Sequence, residues 1–274
     1  MRRPRKLGDA GSFGLIWLGQ TVSLIGSRLS FFALSVWIFQ TTGSSTQFTA
    51  AVALGVLPGL LAGPFIGALI DRWDRRRAMI LADSGSAVIT LVLAYLVLGG
   101  DLAVWHIYVA IAIGSVLDAA QVPAYSAAVT LLVRREHLGR ANGLIQFGES
   151  GAKIIAPAAA GLLLPIIDVG GILLIDLITF AFAIFTLLLA HVPLPKLESV
   201  DGKPPSLLQE AIFGWRYIRR DSGLKALLLF FAVFNLLWGV NFVLITPLVL
   251  SFTNATDLGF VLAVSSAASL VGGL

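Results

Sequence analysis

The chain has 274 residues, of which 57% are hydrophobic and 12% charged, about half the charged fraction of a soluble domain. With a mean hydropathy of +0.91, that composition excludes an ordinary soluble domain. The net charge of +4 sits in short clusters between apolar runs and builds no basic face, so nucleic acid is not expected as a partner.

The chain contains no cysteine, which excludes disulfides, thiolate metal sites and Cys nucleophiles. His106, His137 and His191 are scattered without ligand spacing.

Met1-Arg-Arg-Pro-Arg-Lys6 ahead of an apolar run imitates a signal peptide. The apolar character continues to Phe39 with no small-residue cleavage site, so the segment is expected to stay as a first helix. Segments long enough to span a bilayer follow at 13–40, 47–70, 78–98, 103–133, 143–164, 170–191 and 225–252, and an eighth begins near 257. The breaks between them are short except 192–224, which predicts antiparallel neighbours.

Lys and Arg populate alternate flanks only. The N-terminus holds 4, the 71–77 break 4, the 134–142 break 3 and the 192–224 segment, counted with Lys225, 6; the intervening breaks hold none. By the positive-inside rule the N-terminus is expected to be cytoplasmic.

Three units are predicted: a six-helix half over 1–191, a cytoplasmic linker over 192–224, and the start of a second half over 225–274. Val192–Pro205 is rich in Pro and charge. Ser206–Arg220 carries Leu207, Leu208, Ala211, Ile212, Trp215 and Ile218 at near-helical spacing, which fits an interfacial amphipathic helix as well as a solvated linker helix. Leu60-Leu-Ala-Gly63 lies over Leu270-Val-Gly-Gly273 at an offset of 210, as in a parallel repeat of six-helix halves. On that register most of a second half is expected to be missing.

The stretch Gly67-x-x-x-Asp71-Arg72-x-x-Arg75-Arg76 resembles the loop signature G-x-x-x-D-[RK]-x-G-R-[RK] of the major facilitator superfamily, with Asp74 at the family's loop glycine. Ala156-Pro157-x-x-x-Gly161 resembles the G-P-x-x-x-G antiporter motif of the fifth helix, with Ala156 for Gly. Glu210-x-x-x-Gly214-x-x-Tyr217 is similar to the linker of the same drug:proton antiporter branch, which includes macrolide-efflux and siderophore-export proteins. The resemblance implies an all-α membrane fold, a gating role for Gly67, Asp71, Arg72, Arg75 and Arg76, and an antiporter role for Pro157 and Gly161. The family's R-x-x-Q-G of helix 4 reads Asp118-Ala-Ala-Gln121-Val122 here, so that proton-relay assignment does not transfer.

Arg28, Asp83, Asp118, Glu149, Lys153 and Asp176 fall within spans. A charge at a helix centre costs about 2.5–3.5 kcal/mol on insertion scales, which makes a central one a functional candidate. Arg28 and Asp118 each lie roughly 22 Å into their helices at ~1.5 Å per residue. Helices 1 and 4 line the cavity in the family resembled, so an Arg28–Asp118 pair across it is expected, either as a proton-linked switch or as a static brace. Glu149 and Lys153, at i and i+4, are expected to neutralise each other. Asp83 is expected near Arg75 and Arg76 or the interface, and Asp176 at the outer interface. Gly55, Gly59, Gly63 and Gly67 form a small-residue ladder suited to close helix packing, and Pro58 and Pro64 suggest a kink.

The leading expectation is a secondary transporter of the bacterial inner membrane. It would export a small amphiphilic compound by proton antiport, using Arg28, Asp118, Gln121, Glu149 and Lys153 as its pathway. The proton gradient would replace any cofactor. A truncated or half-size helical membrane protein, idle alone and needing a second chain or the missing half, is the alternative. Neither a P-loop nor a catalytic constellation points to an enzyme, and no charge rings suggest a channel.

Overall fold

The computed structural model describes residues 9–192 and 217–272, the side chains of Asp9, Asp71, Arg72, Trp238, Asn241, Phe242 and 269–272 excepted. The elements are α1 (Asp9–Thr42), α2 (Ser45–Leu54), α3 (Leu57–Arg72), α4 (Arg75–Gly99), α5 (Val104–Leu132), a 3-10 turn at Arg135–His137, α6 (Leu138–Leu189), α7 (Ser222–Leu250) and α8 (Ala255–Gly272). There is no strand among the described residues. α1, the pair α2–α3, α4, α5 and α6 are each long and apolar enough to cross a membrane. The amphipathic stretch expected over 206–220 lies, but for its last four residues, outside the described residues.

Local chemistry sets the boundaries. Gly43 and Gly100 take φ of 60° and 77° after α1 and α4, a conformation that glycine adopts without a Cβ penalty. Asp74 caps α4 by accepting from the backbone N–H groups of Arg76 and Arg77. Asp221 does the same for α7 through Gly223 and Leu224. The second span breaks at Gly55–Val56, just ahead of Pro58 in the first turn of α3, where a missing N–H costs nothing. Pro64 is carried inside α3.

The fifth and sixth spans are continuous in α6, broken only at Asp168, whose φ and ψ are 56° and −178°. The helix folds back there. Trp17 of α1 donates from Nε1 to the Leu144 carbonyl at 2.9 Å, while Gly19, half a turn on, packs against Thr186. In a straight helix residues 144 and 186 would stand about 60 Å apart. Holding a non-glycine residue in this backbone region costs of the order of 1–3 kcal/mol.

Two apolar clusters divide the bundle along its axis. One gathers Leu29, Phe32, Ile38, Leu93, Ile107 and Ile172; the other gathers Phe13, Ile16, Met79, Ala128, Val129 and Leu187. Each of α1, α4, α5 and the second limb of α6 contributes to both. Between its two apolar stretches each helix carries polar residues: Gln20 to Arg28, Asp83 to Thr90, Ser115 to Gln121, and Asp176 to Thr179. These stretches form a polar belt at mid-height.

α8 docks on α6 through small residues. Thr256 Oγ1 donates to the Gly161 carbonyl at 2.8 Å, and a Cβ on Gly161 would come within 3.2 Å of Gly259 Cα. A Cβ on Gly259 would strike the Pro157 carbonyl. Pro157 and Gly161 therefore lie where α6 meets α8.

Candidate functional site: the polar belt and its cavity

The belt borders a cavity of about 1150 Å³ whose wall draws on α1, α2, α4, α5, both limbs of α6, α7 and α8. Arg28, Asp118, Gln121, Glu149 and Lys153 all line it. Shared walls do not mean contact. Among the described residues, no ion pair within 4.0 Å joins Arg28 to Asp118 or Glu149 to Lys153. Neither the expected Arg28–Asp118 pair nor the expected neutralisation within α6 takes the form of a close ion pair.

Arg28 is largely buried, and both Glu149 and Asp118 lie near enough to act on its charge across the cavity. Its Nε is buried without a hydrogen bond. Lys153 points into the open cavity. One guanidinium among separated acids, with an ammonium nearby, leaves charges for a guest or a proton to rearrange.

Asp83 is the hub of the belt on the side nearer the first turns of α1 and α4. It is 5% exposed and accepts from Gln20 Nε2 at 2.9 Å and from Gln121 Nε2 at 3.0 Å. Gln121 also donates to Gln20 Oε1 at 2.6 Å. The expectation that Asp83 faces Arg75 and Arg76 or the interface is therefore wrong. α4 begins at Arg75, so its basic residues form its first turn and Asp83 is carried about 12 Å up the helix at ~1.5 Å per residue. Gln20, being neutral, gave no signal by charge and emerges only as the partner of Asp83 and Gln121.

Asp176 is also deeper than expected. It is 2% exposed, enclosed by α1, α4 and its own helix. Ser27 Oγ donates to Oδ1 at 3.3 Å, Thr90 Oγ1 to Oδ2 at 3.4 Å and Thr179 Oγ1 to Oδ1 at 3.4 Å. The fold-back at Asp168 places residue 176 within the belt and off the outer interface. Among the described residues no group of three or more His, Cys, Asp or Glu gathers.

At the end of the bundle where α4 begins, the side chains of Asp71 and Arg72 lie outside the described residues. Arg75 Nη1 donates to the Trp73 carbonyl at 2.9 Å. Arg76 reaches across to the end of α6, where Nε and Nη2 each donate at 2.6 Å to the Leu187 and Leu188 carbonyls. Those carbonyls carry the negative end of the helix dipole, so a guanidinium both satisfies and neutralises them. Asp74, the departure from the loop signature, works as the N-cap and stands 3.6 Å from Arg77 Nε. The glycine ladder divides: Gly59 is pressed against Ser115 of α5 and donates its N–H to Ser115 Oγ at 3.2 Å, whereas Gly63 and Gly67 face open space. Glu210 and Gly214 lie outside the described residues, and Tyr217 is exposed.

Comparison with known proteins agrees with this architecture. The chain is 34% identical over 269 residues to macrolide efflux protein A of Streptococcus pyogenes, which covers 96% of this chain and 65% of that protein. It is 33% identical over 228 residues to macrolide efflux protein A of Enterococcus faecalis, covering 81% and 69%. It is 26% identical over 274 residues to the multidrug efflux pump Tap of Mycobacterium tuberculosis, covering 97% and 65%. The chain thus spans about 65% of the length of the first of these curated relatives. No solved structure matches it. The Major Facilitator Superfamily model matches residues 16–274, and the chain, an all-α multi-pass membrane protein, belongs to that family.

Proposed function

We propose that this chain supplies the first bundle and the following helices of a secondary transporter. In this reading the transporter exports a small amphiphilic compound, macrolide-like, siderophore-like or another drug, by proton antiport and alternating access. The observation that carries the reading is the belt-lined cavity of about 1150 Å³, in which Arg28, Asp118, Glu149 and Lys153 share a wall without forming close ion pairs. Its size suits a drug-sized guest, and its unmatched charges give a proton somewhere to act. Relatives named for macrolide and multidrug efflux support the cargo class.

The family is one of transporters, so no reaction is assigned; the proton gradient serves as driving force without a cofactor. The alternating basic flanks support a bacterial inner-membrane location with the N-terminus in the cytoplasm. Gly67, Asp71, Arg72, Arg75 and Arg76 then form a cytoplasmic gate, and Pro157 and Gly161 form the seam on which the halves rock. The partners in this reading are the bilayer, the small-molecule cargo and the remainder of the second half.

The test is a susceptibility panel in a pump-deficient host expressing a full-length version, with and without a protonophore. Protection that the protonophore abolishes is expected, and protection against no compound rejects the reading. Asp118→Asn is expected to lower proton-coupled export about tenfold or more, as removal of a positioned acid does; unchanged export would remove Asp118 from the coupling path.

A further inference from the structure

Asp176 belongs to none of the roles above, and its surroundings are unusual for a buried acid. Among the described residues no Lys, Arg or His stands within 4.0 Å of it. Its partners are hydroxyls alone: Ser27 of α1, Thr90 of α4 and Thr179 of its own helix. Ser30, one turn beyond Ser27 and 5% exposed, carries a buried hydroxyl without a hydrogen-bond partner. An isolated buried carboxylate is costly unless its charge is matched.

The distances indicate what matches it. The hydroxyls stand 3.3–3.4 Å from the carboxylate oxygens. Charge-assisted O–H···O contacts close to about 2.5–2.7 Å. Oxygens arranged octahedrally about a cation with bonds near 2.4 Å, the range of calcium, are separated by about 3.4 Å along each edge. Sodium has nearly the same radius as calcium. One carboxylate among neutral hydroxyls balances a single positive charge, whereas a divalent ion would leave an excess charge buried.

We propose that Asp176, Ser27, Ser30, Thr90 and Thr179 form a binding site for a sodium ion. The ion ties α1, α4 and the second limb of α6 together at mid-height. It enters from the cavity, whose wall includes both Ser27 and Phe180, one turn from Asp176. The site stands whether or not the cavity carries a proton-coupled cargo.

The test uses the full chain in lipid nanodiscs, with melting temperature recorded against NaCl, LiCl, KCl and choline chloride at constant ionic strength. Sodium is expected to raise the midpoint saturably by about 5 °C, with lithium weaker and potassium and choline inert, and radioactive sodium is expected to bind with matching affinity. Asp176→Asn is expected to abolish both signals, while Thr90→Val and Ser27→Ala raise the half-saturating concentration several-fold. A midpoint indifferent to sodium, or governed by pH alone, overturns the proposal in favour of a protonated acid. A sodium response that survives Asp176→Asn overturns it by placing the ion elsewhere. Should Asp176→Asn fail to fold, unchanged sodium affinity in both Thr90→Val and Ser27→Ala overturns it instead.

Discussion

Asp83 and Asp176 lie in the same polar belt, both are almost wholly buried, and among the described residues neither has a cation within 4.0 Å. Their partners differ in kind. Asp83 is held by the side-chain amides of Gln20 and Gln121, whose N–H groups only donate and match a carboxylate that faces the cavity. Asp176 is held by hydroxyls, each of which can donate to a carboxylate or turn its lone pairs to a cation. The two acids, about 10 Å apart along the bundle, are thereby held by amide N–H groups in one case and by amphoteric hydroxyls in the other.

The widest separation between the two centres is expected from removing each acid. Asp83→Leu orphans the Gln20 amide and weakens the hold on Gln121. At Asp176→Leu the threonines can return their hydroxyls to their own helix carbonyls, as Thr179 already does toward the Asp176 carbonyl at 2.8 Å. In sodium-free buffer, Asp83→Leu should cost about 2 kcal/mol more than Asp176→Leu. Reversible unfolding in mixed micelles measures both, and equal costs would break the contrast.

Packing distinguishes the centres next. A Cβ on Gly26 would come within 2.9 Å of Asp176 Oδ1 and closer still to Thr179 Oγ1, so Gly26→Ala should destabilise by about 1–3 kcal/mol. Gly14, in the same helix with nothing within 4 Å of its would-be Cβ, should gain up to about 1 kcal/mol as alanine. Melting temperatures of the two variants should move in opposite directions.

The smallest effect comes from trimming one donor at each centre. Gln20→Leu removes a 2.9 Å bond and should cost about 1.5 kcal/mol, while Ser27→Ala removes a 3.3 Å bond and should cost about 0.5 kcal/mol without sodium. A larger loss at Ser27 would mean that its hydroxyl already serves as a structural donor.

Apolar runs of bilayer length and short breaks made the helices legible in the sequence, because a spanning segment needs little beyond length and hydrophobicity. Depth was legible only where the helix start was. Asp83 was placed too shallow because Arg75, Arg76 and Arg77 read as loop, although Asp74 caps them into α4. Asp176 was placed at the interface because the turn before it was drawn as a break of several residues, while α6 folds back at Asp168 alone. Spacing along one helix gives height but not azimuth. That is why Arg28 and Asp118 share a cavity wall without meeting, and why Gln20 could be found only through its partner.

The Arg76 clamp also bears on how the chain is made. Its guanidinium grips carbonyls 111 and 112 residues further on, at the last turn of α6. At synthesis rates of about 5–20 residues per second, that arginine waits roughly 5–20 s for its acceptors to emerge. The C-terminal end of α6 thus completes this contact: the basic first turn of α4 has these acceptors only once α6 has been made in full.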